Sequence, residues 1–114
     1  MHTASSTQTA LVLGASGGVG GEIAAALLRR GWQVRGLARD PATAAARTNL
    51  PTLQWHQGDA LNPAQVLAAA DGAEIIVHAV NPPRYERWGE LVLPMLESSI
   101  RAARVNNATV FLPA

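Results

Sequence analysis

Gly14, Gly17 and Gly20, with Ser16 among them, sit in "LVLGASGGVGGEIAAALLRRG", where a short apolar run gives way to a helix-like alternation. Such residues at a strand-to-helix joint could hold a phosphate. Glycines permit a tight turn and let backbone N–H groups approach an anion with no Cβ in the way, and the helix N-terminus adds partial positive charge. Ser16 can contribute a hydroxyl, and Gly18 and Val19 belong to the same turn. Glycines also make ordinary turns, so the pattern alone is weak; its position after a strand and at the head of a helix is what gives it weight. A nucleoside-triphosphate P-loop is excluded, because that motif requires a Lys and all nine basic residues of the chain are Arg.

The elements that must position this turn can be read along the chain. Ala10–Gly14, Gln33–Ala38, Thr52–Gln57, Glu74–Val80 and Thr109–Pro113 are strand candidates. The first and fourth are nearly continuous in apolar character, as central parallel strands buried on both faces should be. Val19, Ile23 and Leu27 recur along one face of a helix, with Gly31 at its C-cap. Asp40 before Pro41 caps a short helix over "PATAAART", and Asn62, Pro63 and Gln65 open another that ends near Asp71 and Gly72. The last helix, within Trp88 to Asn107, is expected to bury Val92, Leu96, Ile100 and Ala103, with Pro94 kinking it or marking where its regular part begins. Strand and helix alternating to a fifth strand specify an α/β fold. We expect a Rossmann-type open parallel sheet of about five strands, order 3-2-1-4-5, with helices on both faces.

Composition bounds the chemistry. The 114 residues are enough for one domain, and 48% hydrophobic with 15% charged residues is a folded composition. Residues 1–8 are expected to be flexible and residues 9–114 to form the domain. A net charge of +1 gives no field that would draw nucleic acid or an anionic membrane surface. The absence of cysteine excludes disulfides, thiolate catalysis and cysteine-held metal, and no metal site is expected. With neither a secretory signal pattern nor an apolar run of membrane-spanning length, the expected location is cytoplasmic.

"GASGGVG", with "LARDP" after the second strand, "QGDALNP" after the third and "VHAVNPP" after the fourth, resembles the extended and atypical short-chain dehydrogenases/reductases, specifically the NAD(P)-dependent epimerase/dehydratase group. The resemblance covers the ordered chain and implies a dinucleotide cofactor. Backbone around Ser16, Gly17, Gly18 and Val19 would hold its pyrophosphate, within the glycine frame of Gly14 and Gly20. Arg39 would face the 2′-phosphate of NADP, which is preferred over NAD, because the nearby acid Asp40 suits a helix cap better than a ribose contact. Asp59 and Ala60 would bracket the adenine, Asp59 accepting from its amine. Ala79, Val80 and Asn81 would line the floor beside the nicotinamide ribose. His78, on an apolar strand, reads as a packed histidine with a satisfied hydrogen bond.

The family's catalytic pair is a Tyr followed four residues later by a Lys that lowers the phenol pKa. Here Tyr85 is followed four residues later by Gly89, and there is no Lys, so no catalytic residue is assigned. The resemblance therefore reaches only the N-terminal, cofactor half of such proteins, and the chain is expected to be truncated after its fifth strand. The implied activity is that of an oxidoreductase or epimerase on a small hydroxyl- or carbonyl-bearing substrate, a nucleotide sugar among the candidates. The alternative is a non-catalytic NADP-binding sensor or interaction module. A homo-oligomer covering the open sheet edge is a further expectation.

Overall fold

Leu11 and Leu13 point to one side of the first strand and Val12 to the other, and all three are buried, which already requires a sheet covered on both faces. The computed structural model describes residues 8–80 and 88–113, with residues 88–92 described by their backbone. Its elements, in order, are β1 (Thr9–Leu13), α1 (Gly18–Arg29), β2 (Gln33–Ala38), α2 (Pro41–Arg47), β3 (Gln54–Gln57), α3 (Pro63–Ala69), β4 (Ile75–His78), α4 (Trp88–Asn106) and β5 (Thr109–Phe111). All pairings are parallel and the strand order is β3-β2-β1-β4-β5. The five-stranded α/β architecture agrees with the order expected from the sequence.

The two faces have separate cores. On one, Leu11, Leu13 and Ile76 meet Val66 and Ala69 of α3 and Ala102 and Ala103 of α4. On the other, Val12, Val34 and Val77 meet Ala24 of α1 and Leu53. Side chains alternate between these cores along β1, so a one-residue slip in its register would exchange them.

Two helical faces differ from expectation. In α1, Gly20 and Ala24 are the buried positions, Ile23 and Leu27 are partly buried, and Val19 is 57% exposed. The reason is closeness: a Cβ on Gly20 would stand 2.0 Å from the Gly14 carbonyl oxygen, so the position that faces the turn can carry no side chain. Val19 is turned outward. In α4 the buried residues are Met95, Ser98, Ser99, Ala102 and Ala103, while Ile100 is 37% exposed, Leu96 is half-buried and the Val92 side chain lies outside the described residues. Small residues let α4 approach α3 and the sheet. The Ser98 hydroxyl is satisfied by the Pro94 carbonyl at 3.1 Å, and Ser99 by His78.

Helix ends follow their capping residues. Asp40 and Asn62 accept from the backbone N–H groups of Thr43 and Gln65, each with Pro at the first turn. At the end of α1 the N–H groups of Gly31 and Trp32 bond the Leu28 and Leu27 carbonyls, the double closure expected at a glycine-terminated helix. Long-range capping occurs as well: the Arg35 guanidinium, from β2, donates to the Ala69 carbonyl at 2.9 Å and to that of Asp71, closing the end of α3.

Candidate functional site at the strand ends

Parallel strands all deliver their following loops to the same edge of the sheet, and here β1 lies between β2 and β4, where the direction of winding reverses. A cleft of about 990 Å³ opens at that edge. Its walls come from the four loops that follow β1, β2, β3 and β4, together with α2 and Met95 of α4.

The β1 loop is held against the β4 loop. Gly14 has φ +89°, and a Cβ there would lie 2.6 Å from the Ala79 carbonyl oxygen, so both conformation and space demand glycine. Gly17 donates to the Gly14 carbonyl at 2.9 Å and then caps α1. It makes no side-chain cap, and the first turn of α1 holds no acidic residue. Those first N–H groups are thus left for solvent or an anion. A Cβ at Gly18 would meet nothing within 4 Å, so the space in front of this helix end is free of protein. The turn therefore fits a pyrophosphate on two counts, open donors and an open approach.

On the β2 side, Arg39 and Asp40 line the cleft with Thr43 and Arg47 of α2. The Asp40 carboxylate accepts from Thr43 twice, from its N–H at 3.3 Å and its hydroxyl at 2.6 Å. The Thr43 hydroxyl and then its N–H hold the Asp40 carboxyl below the ordinary carboxylate range. It is the helix cap expected from the sequence.

The β3 loop is folded onto itself. Gly58 donates to the Ala38 carbonyl at 2.9 Å, extending the β2–β3 ladder by one bond. Asp59 donates its N–H to Gln65 Oε1 at 2.7 Å, and its Oδ1 accepts from the Leu61 N–H at 2.8 Å. One carboxylate oxygen is thereby occupied, and the other is left as an acceptor.

Gly14, Ser16, Gly17, Gly18, Val19, Arg39, Asp59, Ala60, Ala79 and Val80 are brought together on the cleft. Gly20 is not on its surface; it lies beneath, where it lets α1 close on the turn. Asn81 lies outside the described residues. His78 is buried at the end of β4, with Nδ1 2.8 Å from the Ser99 hydroxyl, and desolvation holds its pKa below 6.5. Sequence reasoning did not single out Thr43, Arg47 or Met95 as site residues. For Thr43 and Arg47 a signal existed, since Asp40, Thr43, Ala44 and Arg47 are spaced as one helical face; Met95 comes from a distant helix and had none.

The family profile described as NAD(P)H-binding matches residues 14–113. The chain belongs to the NAD(P)H-binding family. The glycine turn and the motifs after the second, third and fourth strands all fall within the matched residues. Among curated proteins no sequence match is found.

Solved structures share the domain's fold. A Rossmann-fold NAD(P)-binding family protein from Shigella flexneri superposes with TM-score 0.72 at 21% identity, over 94% of this chain and 50% of that one. The enzyme WbmH from Bordetella bronchiseptica, in complex with NAD+, gives 0.72 at 22% identity, over 90% of this chain and 37% of that one. Triphenylmethane reductase from Citrobacter sp., complexed with NADP(H), gives 0.71 at 20% identity, over 94% and 37%. The NAD(P)H-binding domain therefore spans half or less of the length of these proteins. Among the described residues, no helix is long and apolar enough to cross a membrane.

Proposed function

We propose that the chain is the cofactor-binding part of an NADP-dependent oxidoreductase or epimerase acting on a small hydroxyl- or carbonyl-bearing substrate. The observation that carries this reading is the convergence of the glycine turn, Arg39 and Asp59 on one cleft. In it, the N–H groups at the head of α1 bind the pyrophosphate, Arg39 meets the 2′-phosphate, and the free oxygen of Asp59 accepts from the adenine amine. Ala79 and Val80 form the apolar floor on which the ribose of the nicotinamide rests. The cofactor, when bound, supplies or accepts the hydride.

The test is a titration of NADPH and NADH, followed through the fluorescence of Trp32, Trp55 and Trp88. NADPH is expected to bind more tightly than NADH. Absence of any binding at millimolar cofactor would remove the reading altogether.

The edge strand β5, with Phe111 and the following Leu112 exposed, favours a second reading, in which the domain binds the dinucleotide without catalysis and reports its presence to a partner. The gene sequence that follows Ala114 separates the two. A Tyr-x-x-x-Lys encoded there supports the enzyme, and a stop codon directly after Ala114 supports the sensor.

A further inference from the structure

We infer that Arg47 is a second specificity-determining residue of the cleft, forming with Arg39 a seat for a phosphate monoester on the adenosine ribose. The inference rests on the cofactor site proposed above and adds to it a residue on a different element. Asp40, Thr43, Ala44 and Arg47 all line the cleft, and their spacing of three, four and seven residues puts them along one face of α2. Ala44 is buried and fixes that face toward the interior, whereas Arg47 is exposed and its guanidinium can reach into the opening. Arg39 enters the same cleft from the end of β2.

The charge balance of this wall favours an anion. Arg39 and Arg47 bring two positive charges to it against the single negative charge of Asp40, whose carboxylate already accepts from the Thr43 N–H and hydroxyl and is less available to a bare ribose diol. A phosphate monoester offers three oxygens and close to two negative charges. One guanidinium fork engages two of those oxygens, and a second arginine is matched to the remainder.

A different role for Arg47 is that of a cation in the last turn of α2, interacting with the helix dipole. That role would affect stability but could not distinguish one ligand from another. The decisive readout is therefore selectivity, measured with 2′,5′-ADP and 5′-ADP as probes that differ in where the second phosphate sits. Wild type is expected to prefer 2′,5′-ADP. Arg47→Gln is expected to lower the 2′,5′-ADP to 5′-ADP affinity ratio by about tenfold, the scale of one lost charge-assisted contact. Arg47→Lys, which keeps the charge without the fork, should recover part of that ratio. An unchanged ratio in an Arg47→Gln protein with wild-type circular dichroism would overturn the inference. If wild type binds both probes without preference, the inference fails while the cofactor site stands; if it binds neither, both fail.

Discussion

His78 Nδ1 lies 2.8 Å from the Ser99 hydroxyl, joining the end of β4 to the middle of α4. Both residues are buried, at 8% and 0% exposure, so each supplies the partner that the other could not obtain from water. The pair faces the core shared by α3 and α4, whereas the next two residues, Ala79 and Val80, open on the cleft. A polar link in the core thus holds the strand end from which the wall of the cleft continues.

Ser99→Ala removes the partner of a buried imidazole nitrogen. We expect a loss of about 1–3 kcal/mol, the usual cost of leaving a buried polar atom unsatisfied. Urea denaturation monitored by circular dichroism measures it, and an unchanged midpoint would show that the link contributes nothing.

Stability should also fall in mildly acidic solution. Burial holds the folded pKa of His78 below 6.5, so between the two values the unfolded chain binds more protons than the folded one. Stability is then complete above pH 6.5 and is lost as pH falls through the folded pKa. The Asp40 carboxyl, also lowered when folded, acts only below its ordinary value of 3.8 and leaves this window clear. Urea midpoints at pH 7.5, 6.5 and 5.5 should decline in wild type and flatten in His78→Gln.

The glycine turn separates two kinds of damage. At Gly20 a Cβ would be 2.0 Å from backbone, whereas at Gly17 it would be 3.4 Å from the Gly14 carbonyl oxygen, an ordinary contact. Gly20→Ala should destabilise the domain by about 1–3 kcal/mol, as overpacking does. Gly17→Val should keep the fold and lose NADPH affinity. Thermal melts beside cofactor titrations of both variants provide the check, and retained NADPH binding in Gly17→Val would displace the pyrophosphate from this turn.

Asp59→Asn tests the proposed adenine contact without breaking the loop. The amide oxygen can still accept from the Leu61 N–H, while the other position changes from acceptor to donor. Affinity for NADPH should drop by about two- to tenfold, the range of one hydrogen bond. Wild type should also discriminate against the hypoxanthine analogue of the cofactor, which lacks the amine, and the variant should not. Equal discrimination by both proteins would dissociate Asp59 from the base.

The sheet was legible because its cause is local: continuous apolar runs at Leu11 and Ile76 can only be buried on both faces, and α2 and α3 begin at the caps Asp40 and Asn62. The strand ends were legible for the same reason, since loops that follow parallel strands share an edge. What could not be read depended on distances between elements. The outward turn of Val19 follows from the approach of Gly20 to Gly14, and the burial of Ser99 follows from the position of His78, 21 residues earlier. Arg47 lay between these cases. Its spacing from Asp40 was visible, but a run of alanines with one arginine reads first as a solvated helix.

The order of the strands also bears on how the chain is made. β1 is synthesised first, yet Ala10 pairs with Val34 on one side and with Ile75 on the other. A nascent chain therefore exposes one flank of its most apolar strand until β4 has left the ribosome. Such long-range pairing carries a large loop-closure cost before any contact rewards it, and a partial sheet of β3, β2 and β1 would offer that open flank to a strand of another chain. The same placement that puts the glycine turn at the middle of the sheet delays the moment at which that turn can take shape.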